Sequence, residues 1–238
     1  MSMLISAAIW AAESVLLVIL FFAMLLSAVI MPFDKKRALA HAQCFWWCDA
    51  AVKLNPYWRL VVEGLENIDP RRTYVVVVNH QSLADIAVLY KTRMQFKWVA
   101  KASLFRVPVL GWNMSLARHI KLTRGKFSSI KKVYREAAGW LRNDVSVLFF
   151  PEGTRSDTNE IKEFQNGAFK LAIKEKRPVL PISIEGTRDV IPKGSWVFNN
   201  KVSSRIRVFP PVETDTFQPG DFARLRDTVR ATLGGFAS

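Results

Sequence analysis

His80 stands just past an apolar run, in "VVVVNHQSLADIAVL" (75–89), with Asp85 five positions further on. A carboxylate bonded to one imidazole nitrogen fixes the tautomer and leaves the other nitrogen as an acceptor, which is the base half of a triad. No serine or cysteine is placed as its nucleophile, so the hydroxyl to be activated would come from a substrate. The same residues also suit an Asn-His turn capped by Ser82, with Asp85 favouring the N-terminus of the following helix.

A second cluster lies in "FFPEGTRSD", where Glu152, Gly153, Thr154 and Arg155 follow the expected strand 145–150. Pro151 ends strand pairing, Gly153 lets backbone come close to a ligand, and the Arg155 fork suits a phosphate. It is neither a P-loop, which needs a longer glycine-rich run ending in Lys-Ser/Thr, nor a nucleophile elbow, which needs Ser between glycines. A capped turn with an exposed arginine is the plain alternative. The tetrapeptide "EGTR" recurs at Glu185 to Arg188, where a shared turn preference accounts for it. A third cluster, "KASLFRVPVLGW" with "RHIKLTRGK", carries Lys101, Arg118, Lys121, Arg124 and Lys126 among apolar residues. That mixture suits a lipid with an anionic head, and a solvated basic face accounts for most of the charges.

What must position these groups follows from composition and periodicity. The 238 residues carry 34 Lys and Arg against 20 Asp and Glu, a formal charge of +14, while half are hydrophobic. An anionic surface is the implied neighbour, either lipid or nucleic acid. The basic residues show no aromatic platform or reader motif, which argues against nucleic acid. From Val15 to Met31 no charge occurs, and such a run would reach roughly 25 Å as a helix, slightly under a hydrocarbon core. No Lys or Arg precedes Lys35, unlike a cleaved signal peptide, and the charges that follow place the remaining chain on the cytoplasmic side of a cell membrane. A second helix, "ALAHAQCFWWCDAAVKL", is expected at the interface, with Phe45, Trp46 and Trp47 at headgroup level, ending before Pro56. Its Cys44 and Cys48 share a face with His41 but lack a fourth ligand, so reduced packed thiols are expected, with no metal and no disulfide.

After Pro56 short strands alternate with helices. Strands are expected at "WRLVVEGL" and "TYVVVVNH", joined by a turn at Asp69-Pro70, then at "FKWVAK", "RHIKLT", "VSVLFF", "RPVLPISI" and "SRIRVFPPV". Helices are expected at "SLADIAVLY", "SSIKKVYREAAGWLRN", "NGAFKLAIKEK" and "PGDFARLRDTVRATL". This order predicts an α/β domain over 57–238, with a mixed, largely parallel sheet flanked by helices, preceded over 1–56 by a membrane-anchoring helical pair. In such sheets ligands bind beyond the carboxyl ends of strands, where all three clusters stand.

Taken together, these stretches resemble the glycerolipid acyltransferase family that includes 1-acylglycerol-3-phosphate acyltransferases. "NHQSLAD" is similar to its His-x4-Asp signature, "KASLFRVPVLGW" with "LTRG" to its second block, "FPEGTRS" to its third and "VLPISI" to its fourth. The resemblance implies His80 as general base towards an acceptor hydroxyl and Asp85 as its orienting partner. It implies that Glu152, Gly153, Thr154, Arg155 and Arg124 hold the acceptor phosphate, and that Lys101 serves that phosphate or the oxyanion. Thr123 stands where the family often has an acidic residue before Arg124. The implied substrates are lysophosphatidic acid and acyl-CoA or acyl-carrier protein, with membrane lipids as partners and no cofactor. Another lysophospholipid or a lyso-aminolipid is the rival acceptor, and a non-catalytic basic module that binds anionic membranes is the rival of another class.

Overall fold

The computed structural model describes residues 3–156, 160–192, 194–199 and 201–234. Asp157 of the third-block turn and the chain ends of the two expected segments lie outside those residues. Seven strands form one sheet: β1 (Trp58–Glu63), β2 (Val75–Val78), β3 (Phe96–Lys101), β4 (Ile120–Leu122), β5 (Ser146–Phe149), β6 (Val179–Glu185) and β7 (Val202–Val208). Their order is β1-β7-β6-β2-β5-β3-β4, with only β6 and β7 antiparallel. The helices are α1 (Met3–Leu26), α2 (Ala38–Leu54), α3 (Ala84–Leu89), α4 (Leu110–Leu116), α5 (Phe127–Arg142), α6 (Gly167–Glu175) and α7 (Phe222–Gly234). The mixed, largely parallel sheet expected from the sequence is thus the observed one.

β2 takes the centre because its four valines have no polar face and need cover on both sides. Val76 and Val78 pack with Leu148, Leu180, Tyr90 and Trp98 on one face. Val75 and Val77 pack on the other with Val133, Ala137 and Leu141 of α5 and Phe169 of α6, residues at helical spacing along each helix. β1 and β2, expected on either side of one turn, are not partners. β1 carries Arg59 and Glu63 and pairs with β7 at the sheet edge, where polar side chains reach water.

α1 is apolar and mostly uncovered, yet both of its halves touch the α/β domain. Near its start Ser6 Oγ accepts the Phe198 N–H at 3.1 Å, and Trp10 Nε1 donates to the Trp196 carbonyl at 2.7 Å. Further along, Asn113 Nδ2 of α4 donates to the Leu17 carbonyl at 3.3 Å, and Leu20 and Met24 enter the same buried cluster as Val76 and Leu148. α2 turns a face inward as well: Cys44 and Cys48 belong to that cluster, and His41 Nε2 pairs with the Met94 carbonyl at 2.8 Å. Of the three aromatics expected at headgroup level, Trp46 is exposed, whereas Phe45 and Trp47 are half-buried against Tyr90.

Candidate active site

β2 ends at Val78, and Asn79 then extends it by side-chain mimicry. Its amide donates to the Ile184 carbonyl at 2.8 Å and its carbonyl accepts the Ile184 N–H at 2.7 Å, so the chain leaves the sheet only at His80. His80 Nδ1 meets Asp85 Oδ2 at 2.7 Å. The same carboxylate oxygen accepts the Gln81 N–H at 2.7 Å and the Ser82 N–H at 3.0 Å, while Oδ1 accepts the Thr187 hydroxyl at 2.5 Å. Asp85 is fully buried, and a carboxylate so surrounded by donors acts on the imidazole as an acceptor. Nδ1 therefore carries the proton, and Nε2 keeps its lone pair.

The ring is held from two more sides. Phe150 stacks on it at 4.0 Å between centroids and 20° between planes, with Trp98 stacked behind Phe150 at 5.7 Å. The main chain of His80 is fixed by the second cluster: its N–H donates to Glu152 Oε1 at 2.8 Å, and its carbonyl accepts the Ser156 N–H at 2.8 Å. Glu152 Oε2 accepts the Lys162 N–H at 3.1 Å. Both oxygens of this buried carboxylate are thereby engaged by backbone, so Glu152 holds the main chain of the general-base candidate in place. Burial pushes its carboxyl pKa up, and the two N–H groups pull against that rise.

His80 opens onto a cavity of about 580 Å³. Lys101, Arg124 and Gly153 share its wall, which continues past Trp98 and Leu110 to Leu17, Leu20 and Met24 of α1. Gly153 has φ +70 with nothing within 4 Å of where a Cβ would stand, a left-handed turn beside open space. Thr154 is exposed and Arg155 half-buried, and neither forms part of the wall. Among the described residues no three His, Cys, Asp or Glu side chains are grouped to hold a metal ion.

Sequence reasoning missed Asn79 and Thr187. The second "EGTR" is more than a turn preference, since its threonine completes the hydrogen bonding of Asp85. The repeated tetrapeptide was the available signal, but only the parallel pairing of β2 and β6 brings the two strand exits side by side.

Comparison with known proteins follows the same strand exits. The chain is 35% identical over 174 residues, 72% of its length, to a protein of Chlamydomonas reinhardtii named 1-acyl-sn-glycerol-3-phosphate acyltransferase, and covers 52% of it. It is 34% identical over 185 residues, 77% of its length, to a chloroplastic protein of that name from Arabidopsis thaliana, and covers 51% of it. The chain thus spans about half the length of these relatives. Its fold matches the crystal structure of the 1-acyl-sn-glycerophosphate (LPA) acyltransferase PlsC from Thermotoga maritima with a TM-score of 0.74 and 27% identity, covering 94% of this chain and 96% of that one. Residues 59–185, more than half of the chain and all three clusters with it, match the family described as Acyltransferase, and to that family this protein belongs.

Proposed function

We propose that the protein transfers a fatty acyl group from acyl-CoA or an acyl-carrier protein to the sn-2 hydroxyl of 1-acylglycerol-3-phosphate, forming phosphatidic acid. The observation that carries this reading is the His80–Asp85 contact of 2.7 Å at the head of an apolar cavity with basic residues in its wall. The acceptor hydroxyl attacks the thioester carbonyl while His80 Nε2 takes its proton. The tetrahedral oxyanion then collapses, the C–S bond breaks, and the imidazolium returns the proton to the departing thiolate. A positioned base of this kind supplies a rate factor of about 10²–10⁴. A donor aimed at the oxyanion adds roughly 3 kcal/mol, a role open to Lys101. Arg124 and Arg155 attract the acceptor phosphate, and the cavity beneath α1 takes an acyl chain.

The anchoring agrees with this chemistry. A helix that crossed the bilayer would carry one end away from a domain lying on one side, whereas Ser6 and Met24 both contact that domain. α1 is accordingly read as lying within one leaflet, with Lys35, Lys36 and Arg37 on the cytoplasmic side. The test is transfer of labelled acyl groups by purified protein in detergent, over a matrix of donors and acceptors. His80→Ala should abolish turnover without loss of folding; near-wild-type turnover would remove His80 from the role of base. Preference for an acceptor without phosphate would replace the substrate.

A further inference from the structure

From Lys101 to Arg135 the chain holds nine Lys and Arg residues and no Asp or Glu. The same stretch exposes large apolar side chains: Phe127 is 70% exposed, Trp112 51%, Val107 44% and Ile130 38%. Single exposed apolar residues are ordinary, but these lie on the elements that border one opening, with Ile130 itself in the cavity wall. Trp112 packs on Phe21 of α1 at 5.3 Å between ring centroids. A Cβ at Gly111 would lie 2.2 Å from the Phe105 carbonyl, so α4 sits directly on the turn that carries Phe105. Lys121 Nζ lies 4.9 Å from the centre of the Phe105 ring, and Lys131 Nζ 4.7 Å from that of Phe127. Ile130, Leu104, Leu110 and Arg124 all belong to the cavity wall. Among the described residues no ion pair joins Lys101, Arg106, Lys121, Arg124, Lys126 or Lys131.

We propose that the turn before α4 and the first turn of α5 form a second membrane-docking surface, seated on an anionic bilayer beside α1. The charge is complementary to acidic headgroups at about 1 kcal/mol per basic residue near the surface. Phe127 has the amphipathic setting of an interfacial anchor, with the Lys131 ammonium held over its ring, and Trp112 is an exposed indole of the kind that settles at headgroup level. The surface is continuous with α1 through the Phe21–Trp112 contact. α1 alone leaves the domain free to swivel about the helix axis. A second contact fixes that rotation and turns the cavity mouth to the lipid, so that an acceptor enters sideways without leaving the bilayer. This last consequence rests on the acyltransferase reading, whereas the docking itself does not.

Cys44 and Cys48 are buried, so an introduced surface cysteine can be labelled selectively. The full chain carrying Phe127→Cys, Trp112→Cys or, as control, Thr228→Cys on α7 is labelled with a polarity-sensitive fluorophore and bound to vesicles of phosphatidylcholine with 30% phosphatidylglycerol. Shallow nitroxide lipids should quench the labels at 127 and 112 and spare that at 228, and quenching at 127 should fall in pure phosphatidylcholine or high salt. A label at 127 that stays exposed on vesicle-bound protein overturns the proposal. Protection without vesicles that grows with protein concentration assigns the face to a second copy and also overturns it. In a kinetic arm, Phe127→Ser should raise the apparent KM for vesicle-borne acceptor about ten-fold, the partitioning value of one such side chain, and leave turnover of detergent-dispersed acceptor unchanged. Loss of both activities alike would speak against the docking role, while quenching at 127 without any transferase activity would sustain the docking and sink the enzymatic reading.

Discussion

The hydroxyl of Thr187 donates to Asp85 Oδ1 at 2.5 Å across 102 positions of sequence. It pins the carboxylate from the side opposite the imidazole, so the orientation of His80 is shared between the exits of β2 and β6. Thr187→Val keeps the shape and removes the donor. The expected outcome is a fall in kcat of about ten-fold, the worth of one hydrogen bond to a charged group, with acceptor KM unchanged. Thr187→Ser should restore most of the rate. A KM rise with constant kcat in steady-state assays would count against this role.

Glu152 and Arg155 are neighbours with separable parts. Glu152→Gln leaves one backbone N–H facing an amide that cannot accept from it, which costs about 1–3 kcal/mol. Thermal melting should show reduced stability, and kcat should drop because His80 loses its anchor. Arg155→Gln should leave the melting temperature alone and raise KM for phosphate-bearing acceptors. If both variants changed only KM, Glu152 would belong to the substrate and not to the scaffold.

Lys97 is fully buried, with Nζ donating to the Ala117 carbonyl at 2.8 Å and lying 4.6 Å from the centre of the Trp140 ring. Burial pushes its pKa down to about 7 from 10.5. Between those values the unfolded chain holds a proton that the folded chain lacks, so stability rises with pH across that window; below it both states are protonated and the penalty is constant. Lys97→Met should therefore be more stable than wild type at pH 7, by roughly 2 kcal/mol once the lost carbonyl and ring contacts are counted, with the gap closing towards pH 10.5. His41, pushed to about 3 by burial, acts in the same direction at acid pH, where stability is lost as pH falls below 6.5. Denaturant melts from pH 5 to 10 check both.

Leu20 and Met24 line the α1 side of the cavity. Met24→Trp fills that side and should shift donor preference to shorter acyl chains, each methylene that no longer fits forfeiting about 0.8 kcal/mol. Product analysis by mass spectrometry after a mixed-donor reaction reads this directly. An unchanged chain-length profile would move the acyl chain elsewhere.

The parts legible in the sequence are those written locally. β2 announces itself as four buried valines, and His80 with Asp85 lie close enough in the chain for one turn to join them. Glu152 to Arg155 stood out because Pro151 and Gly153 mark the same kind of exit. What the sequence left hidden depends on pairing between distant segments. The match of Asn79 to Ile184 and of Thr187 to Asp85 follows from β6 lying against β2, and the partnership of β1 with β7 follows from β7 reversing direction. The resemblance implies a substrate contact for Glu152, and its two backbone partners add a scaffold role that residue type does not reveal. α1 was legible as apolar, but its contacts at both ends come from the loop around Trp196 and from α4, which no periodicity reports.

Because Leu20 and Met24 share a cluster with Leu148 and Val76, α1 is a wall of the protein as much as a tether. Trimming it to obtain a more soluble protein would strip one wall from the cavity onto which His80 opens. α1 leaves most of its apolar surface uncovered, so a detergent chosen for purification becomes a structural component.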